Sequence, residues 1–242
     1  MRALVISDIH GNIDALLALE AELKNRRFAP DLTLVLGDLV DYGPAPEEVI
    51  AWVRENADYV VRGNHDHAMA TGADCRSSTA YKSLSVATRE YFRTRLSEAA
   101  LQYLRDLPTT CSTDIAGKTE MVHATPRNPL FEYLRPESSD AQWRSAMEGI
   151  TDGNQLLLLG HTHLQFDKTV GRVRIVNPGS LGQPKDGDPR GCYAIIEGGR
   201  VELRCVEYDV EKATARLAQL DLPALVREQL AFVLRTGGRL KG

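Results

Sequence analysis

Residues 1–61 alternate between short apolar runs and stretches with apolar positions at helical spacing. Ala3–Ile6, Leu32–Leu36 and Tyr59–Val61 are β-prone apolar runs, whereas Ile13–Leu23 is amphipathic, and Pro46–Asn56 begins with Pro and Glu, which favour a helix start. Strands that alternate with helices predict a parallel sheet covered by helices on its faces. In such sheets, ligands bind beyond the carboxyl ends of the strands.

The remaining chain has the pattern of one α/β domain, because it contains no linker, repeat or low-complexity tract. Helical spacing covers Ser78–Leu107 and ends at Pro108, which suggests a helical cap-like segment over about 70–107. We expect a single domain spanning 1–242. The other predicted elements are strands at Glu120–His123, Gln155–Leu159, Val173–Val176, Tyr193–Ile196 and Val201–Tyr208, helices at Asp140–Met147 and Val210–Leu234, and a polar C-terminal tail.

Composition places the chain among globular proteins. It has 242 residues, 43% hydrophobic and 26% charged, which excludes disordered, collagenous and disulfide-scaffold classes. The net charge of −4 implies no broad basic surface for nucleic acid or an anionic membrane. No apolar run approaches the ~20 residues that span a bilayer, and no signal peptide is evident. We therefore expect a cytoplasmic protein; its oligomeric state is not defined by the sequence.

The cysteines give no sign of a metal site or a disulfide framework. The four cysteines are far apart in the sequence and form no C-x-x-C pair. We expect free thiols in a reducing compartment. They are Cys75, Cys111, Cys192 and Cys205.

Metal-binding side chains follow the predicted strands. They combine carboxylate and amide oxygens with imidazoles and include no thiolate, a donor set that suits Mn, Fe, Zn, Ni or Co. Five of the six histidines belong to this group. The residues are Asp8, His10, Asp38, Asn64, His65, His123, His161 and His163.

The spacing of these donors favours two ions over one. Asp8 and His10 stand two residues apart, as do His161 and His163, which on an extended segment directs both side chains to one side. Asp38 could bridge two ions ~3.5–4 Å apart, which would clamp a transferring phosphoryl group and lower the pKa of a shared water. Each residue alone could be an ordinary hydrogen-bonded histidine or a turn aspartate. The occurrence of these donors together at several predicted strand ends is what predicts a metal site.

The same residues resemble the signature blocks of the calcineurin-like metallophosphoesterase superfamily. The segment Gly37–Pro44, with Arg62 before the third block, is similar to the bacterial branch related to diadenosine tetraphosphatases and small phosphodiesterases. In order, the blocks are Asp8-Ile9-His10-Gly11-Asn12, Gly37-Asp38, Gly63-Asn64-His65-Asp66, His123 and Gly160-His161-Thr162-His163.

This resemblance implies a four-layer αββα sandwich, with two central mixed sheets and a helical cap insertion, around two divalent ions, with Mn favoured. Metal-bridging hydroxide would attack phosphorus. His65 would stabilise the transition state or protonate the leaving group, and Asp66 would either orient that imidazole or serve as a turn or helix cap. The implied first-ion ligands are Asp8, His10, Asp38 and His163, and the second-ion ligands are Asp38, Asn64, His123 and His161.

Three further residues are candidate substrate contacts. Arg62 and Arg127 could grip phosphate or be ordinary surface charges, and Asn12 could contact phosphate or cap the helix that follows it. His67 is expected to be exposed. Protein phosphatases of the superfamily carry an arginine where this chain has Tyr42, which argues against a protein phosphatase, although Arg62 or Arg127 could take the place of that arginine. The aromatic stripe is interpreted as core of the helical cap, not as a base-stacking platform; it comprises Tyr81, Tyr91, Phe92, Tyr103 and Trp143.

The expected activity is hydrolysis of a phosphate ester or anhydride in a small phosphorylated substrate. A phosphodiester, a nucleotide and a dinucleoside polyphosphate all remain open. The alternatives are a phosphomonoesterase or protein phosphatase and, more remotely, a non-catalytic scaffold.

Overall fold

A computed structural model describes residues 1–148, 150, 155–238 and 240. The Asn12 and Ser97 side chains cap the helices that begin just after them, by accepting from the amides of Ala15 and Ala100. The strands are β1 (Arg2–Ile6), β2 (Leu32–Val35), β3 (Tyr59–Val60), β4 (Thr110–Asp114), β5 (Lys118–Val122), β6 (Leu156–Leu158), β7 (Gln165–Val170), β8 (Val173–Pro178), β9 (Gly191–Glu197) and β10 (Arg200–Val206). The helices are α1 (Ile13–Asn25), α2 (Pro46–Asn56), α3 (Asn64–Thr71), α4 (Thr79–Arg93), α5 (Glu98–Asp106), α6 (Asp140–Ala146), α7 (Val210–Ala218) and α8 (Ala224–Thr236).

The strands form two mixed five-stranded sheets. In the first sheet the order is β10-β9-β1-β2-β3, with β1, β2 and β3 parallel, β9 antiparallel to β1 and β10 antiparallel to β9. In the second sheet the order is β4-β5-β6-β8-β7, with β5, β6 and β8 parallel and antiparallel strands at both edges. The parallel strands of both sheets therefore provide the carboxyl ends at which a site is expected.

Successive side chains along each strand point to opposite faces of its sheet, so one set packs between the two sheets and the other set packs against the helices. In β1, Ala3 and Val5 pack between the sheets with Leu158 of β6, while Leu4 and Ile6 pack against α1 and α2. The outer face of the second sheet packs on Trp143 of α6. The expected four-layer αββα sandwich is confirmed.

Several predicted elements differ from the structure. The predicted helix Ser78–Leu107 divides into α4 and α5 because Ser97 starts a new helix, and Val210–Leu234 divides into α7 and α8 before Pro223. Strands β4 and β7 and helix α3 were not predicted from the sequence. Strand β4 was missed because it is an edge strand with exposed or half-buried side chains and therefore has no apolar run. Part of the polar tail, residues 239, 241 and 242, lies outside the described residues.

The cap-like segment 70–107 is integrated into the helical layers. Helix α4 packs against α8, while α5 packs against α2 and α3. Within this segment, residues 77–81, at the start of α4 and just before it, line the cavity described below. Trp143 lies under the second sheet instead of in this segment, which corrects its assignment to the cap. Among the described helices, none has the length and apolarity needed to cross a bilayer.

Candidate metal centre

The backbone of the site is in an unusual conformation for residues with side chains. Asp8 and His10 have φ values of 53° and 47°, Asp38 has 57°, and His161 and His163 have 66° and 58°. Non-glycine residues adopt this left-handed region rarely, and such strain is concentrated at functional sites. We expected extended segments at both histidine motifs; the side chains instead converge because the chain turns sharply at each ligand.

Hydrogen bonds between neighbouring loops hold these turns. The amides of Asp8 and His10 donate to the carbonyls of Gly37 and Asp38, at 3.0 and 2.9 Å. The amide of His161, from the second sheet, donates to the Asp8 carboxylate at 3.1 Å. The loops after β1, β2 and β6 thus support one another across both sheets.

Three donors of the first predicted ion come together on this edge. Nε2 of His163 lies 3.2 Å from Asp8 Oδ1 and 3.3 Å from His10 Nε2. Asp38 Oδ2 is 3.7 Å from His10 Nε2, so this carboxylate borders the same cluster. We call Asp8, His10 and His163 the first cluster.

The donors predicted for the second ion meet on the other side of Asp38. His123 Nε2 is 3.2 Å from Asp38 Oδ2, 3.0 Å from Asn64 Oδ1 and 3.2 Å from His161 Nδ1. We call Asp38, His123 and His161, with Asn64 beside them, the second cluster. Asp38 stands between the two clusters, which is the position a bridging carboxylate requires.

The hydrogen bonds around both clusters fit metal ions. His10, His123 and His163 each place Nδ1 within 2.5–2.8 Å of a backbone carbonyl, so Nδ1 carries the proton and Nε2 offers its lone pair to the cluster. Lone pairs of His10 and His163 then face each other at 3.3 Å, and the buried Asp8 Oδ1 has no hydrogen-bond partner among the described residues. A cation between these atoms satisfies all of them.

Burial controls the charge of most ligands. It lowers the pKa of His10, His161 and His163 well below the usual range, so these imidazoles are neutral and able to bind metal. Burial and the neighbouring charge of Asp38 raise the pKa of Asp8 to about 6. His123 differs, because the Asp38 charge and hydrogen bond outweigh burial and raise its pKa to about 9.

His65 lies beside the clusters and is held by Asp41. Its Nδ1 is 2.7 Å from Asp41 Oδ2, which also accepts from Arg89 Nη1 at 2.9 Å. Burial would lower the pKa of His65, but the charge of Asp38 and the bond to Asp41 raise it well above the usual range. His65 Nε2 lies 3.4 Å from the Tyr42 hydroxyl, on the cavity side. The structure thus presents a protonated imidazole to the cavity.

The interpretation of Asp66 as the carboxylate that orients His65 is wrong. Asp66 accepts hydrogen bonds from the amides of Asp38, Leu39 and Gly63, at 2.8, 2.8 and 2.9 Å. It therefore acts as the turn and helix cap considered as the alternative. Asp41 supplies the orienting carboxylate. The sequence signal for this role was its position three residues after the candidate ligand Asp38.

The three candidate substrate contacts lie elsewhere. Asn12 is buried, caps α1 through Oδ1 and donates through Nδ2 to the Gly182 carbonyl, so its side chain is fully engaged. Arg62 donates to the Arg105 carbonyl, and Arg127 pairs with Glu132. None of the three lines the cavity at the site.

A cavity of about 490 Å³ opens above the clusters. Its floor includes Asp38, His65, His161 and His163, and its walls carry residues that the sequence did not single out as contacts. His67, expected to be exposed, is instead half-buried and lies outside this lining. The principal wall residues are Tyr42, Tyr81, Tyr133, Arg135 and Lys185.

The family assignment follows from comparison with known proteins. The calcineurin-like phosphoesterase superfamily domain matches residues 1–199, so the chain belongs to this family of metal-dependent phosphoesterases. The resemblance seen in the sequence is confirmed. The family association supports a hydrolase acting on ester bonds.

One relative is similar over nearly the whole chain, and another over less than a third of it. An uncharacterized protein of Methanocaldococcus jannaschii is 29% identical across 93% of this chain and 96% of its own length. A symmetrical bis(5'-nucleosyl)-tetraphosphatase of Yersinia pestis is 44% identical over 78 residues, 30% of this chain and 26% of that enzyme.

Two solved structures have the same fold over nearly the whole chain. A metallophosphoesterase from Sphaerobacter thermophilus matches with a TM-score of 0.77 and 33% identity, covering 98% of this chain and 99% of that one. A hypothetical protein from Pyrococcus horikoshii matches with a TM-score of 0.82 and 26% identity over the same shares.

Proposed function

We propose that the protein is a dinuclear metallophosphohydrolase that cleaves an ester or anhydride bond in a small phosphorylated substrate. The observation that carries this proposal is the pair of buried donor clusters that share Asp38 on the floor of the cavity. The cavity of about 490 Å³ has room for a small phosphorylated substrate, and its candidates are a phosphodiester, a nucleotide and a dinucleoside polyphosphate. The similarity to a bis(5'-nucleosyl)-tetraphosphatase supports including the last of these.

The proposed ligands divide between two metal ions. Asp8, His10 and His163 would hold one ion, while Asn64, His123 and His161 would hold the other, with Asp38 shared. Divalent ions, among which Mn is favoured, polarise phosphate oxygens and activate water when bound. A scissile phosphate on the cavity floor then lies against His65.

His65 supplies the proton chemistry in this proposal. Its Nδ1 proton is fixed by Asp41, so its Nε2 proton points into the cavity. There it hydrogen-bonds to the developing charge on phosphate and passes a proton to the leaving oxygen. Arg89 balances the buried charge of Asp41, which keeps that carboxylate in its orienting position.

The test is a substrate panel assayed with one metal at a time. Metal-free protein is reconstituted with Mn, Fe, Zn, Ni or Co and given p-nitrophenyl phosphate, bis-p-nitrophenyl phosphate, diadenosine tetraphosphate, a cyclic nucleotide and a phosphopeptide. We expect turnover of a small diester or anhydride that falls at least about 100-fold in Asp38→Asn and His65→Ala. Full activity in either variant, or turnover of the phosphopeptide alone, would contradict the proposal.

A further inference from the structure

Lys185 places a positive charge beside the first cluster. It stands in the loop between β8 and β9, and its Nζ lies 4.4 Å from the centre of the Tyr81 ring and 5.6 Å from that of Tyr42. Aromatic rings attract an ammonium group through their faces, so these contacts hold the charge at the cavity wall. The same Nζ is 3.2 Å from His163 Nε2.

Lys185 and a metal ion compete for one lone pair. His163 Nδ1 donates to the Gln183 carbonyl at 2.5 Å, which leaves Nε2 as an acceptor for the ammonium. That nitrogen is also the atom the first cluster offers to an ion. An ion that takes this lone pair displaces the ammonium from His163 and leaves the positive charge on the wall of the same cavity.

We propose that Lys185 binds a phosphate oxygen of the substrate. Arg62 and Arg127, the arginines considered from the sequence, lie outside the cavity lining, and position 42 carries a tyrosine. Within the described lining, the cationic side chains besides the site histidines are Lys185 and Arg135, and Lys185 is the one in contact with a cluster residue. An ammonium donates charge-assisted hydrogen bonds to phosphate, so Lys185 is a specificity-determining residue.

Two titrations on the intact protein test this role. Calorimetry measures Mn²⁺ binding to the metal-free protein, then inorganic phosphate binding to the Mn-loaded protein, for wild type, Lys185→Met, Lys185→Arg and the exposed control Lys24→Met. In Lys185→Met we expect phosphate affinity to fall about tenfold or more and Mn²⁺ affinity to stay equal or increase, since the competing ammonium is gone. Lys185→Arg should retain most of the phosphate affinity, and Lys24→Met should match wild type.

Two outcomes of these titrations would contradict the proposed role of Lys185. Unchanged phosphate affinity in Lys185→Met removes the role, and a parallel loss of Mn²⁺ and phosphate affinity shows that Lys185 only supports the site structurally. The inference rests on the proposed function for the identity of the substrate. If wild type binds Mn²⁺ and phosphate but hydrolyses no ester, the proposed function fails while the titrations still decide the role of Lys185.

A separate observation concerns Cys192 and Cys205. They are register partners on the antiparallel strands β9 and β10, and their Sγ atoms lie 2.7 Å apart. Directly opposed residues in such a pair have Cα atoms within the distance a disulfide needs. Cys205 is partly exposed, and its hydrogen bond with Cys192 and the charge of Arg190 lower its pKa. No local sequence pattern indicates this pairing, because the strand register creates it.

We infer that Cys192 and Cys205 form a reversible disulfide with a small disulfide as oxidant. The Cys205 thiolate attacks oxidised glutathione and releases one glutathione thiolate; the Cys192 thiolate then displaces the second. One protein S–S bond forms and the S–S bond of the oxidant breaks; two electrons pass to the oxidant, and the two protons of the protein thiols pass to the two glutathione thiolates.

Thiol counting tests this inference independently of any activity. After treatment with oxidised glutathione and denaturation without reductant, we expect the four thiols to fall to two and the protein mass to fall by two hydrogens. Peptide mapping should place the bridge between Cys192 and Cys205. Cys111→Ser should react like wild type, whereas Cys205→Ser should form no bridge. A lasting glutathione adduct on Cys205, or a bridge that includes Cys75 or Cys111, would overturn the inference.

Discussion

Asp41 Oδ2 lies 2.7 Å from His65 Nδ1, and this bond fixes the imidazole so that Nε2 faces the cavity. Asp41→Asn should therefore lower kcat about 10- to 100-fold, because it removes the carboxylate that orients and charges the imidazole. The alkaline limb of the pH–rate profile should move to lower pH, since Asp41 helps to raise the pKa of His65. Steady-state kinetics over a pH series checks both effects.

The matched control for this prediction is Asp221→Asn, which changes an exposed aspartate. Metal content, measured by elemental analysis, should equal wild type in both variants. A loss of metal in Asp41→Asn would show that Asp41 acts on the clusters and not on His65.

Asp66 should matter for stability more than for chemistry. Asp66→Ala leaves the amides of Asp38, Leu39 and Gly63 without their acceptor, which should lower the free energy of unfolding by about 3 kcal/mol or more. Urea denaturation of the metal-free protein measures this change. A variant of unchanged stability that had lost activity about 100-fold would restore a catalytic role for Asp66.

Protons should compete with metal at His123. Its pKa of about 9 means that an ion must displace a proton from the imidazole at neutral pH. Apparent metal affinity should rise by up to about tenfold per pH unit up to about pH 9, because the proton is lost as pH rises. Titrations in buffers of different ionisation enthalpy would detect the released proton. Affinity that is flat from pH 7 to 9 would contradict the prediction.

Metal removal should weaken contact between the two sheets. Each cluster joins ligands from both: Asp8 and His10 follow β1 while His163 follows β6, and Asp38 follows β2 while His123 follows β5. Each site at 100 times its Kd adds about 2.7 kcal/mol of stability. The Tm should therefore fall by several degrees on chelation. Differential scanning calorimetry checks this, and Asp38→Asn should show little of the metal-dependent shift.

The candidate ligands could be proposed from the sequence because each of them follows an apolar strand in a short motif. Asp8, Asp38 and His123 illustrate this, since strand ends in a parallel sheet meet at one edge. The four-layer arrangement came from family resemblance, because local patterning does not determine how two sheets stack.

Other features depend on tertiary contacts that no local pattern encodes. The correct partner of His65 was missed because Asp66 is adjacent in sequence, whereas Asp41 reaches the imidazole through the fold. Lys185 lies far along the chain from the motifs it touches, and the Cys192–Cys205 pair depends on strand register. Arg62 and Arg127 were proposed as phosphate contacts from residue type alone. In the structure, both side chains make local hydrogen bonds outside the cavity.

The placement of the ligands on both sheets also orders events during synthesis of the chain. Asp8, His10, Asp38 and Asn64 leave the ribosome early, but neither cluster is complete until residues 161–163 have been made. A nascent chain that ends before residue 161 therefore lacks one proposed ligand of each ion. On the proposed ligand assignment, both ions are acquired only after residues 161–163 have been made.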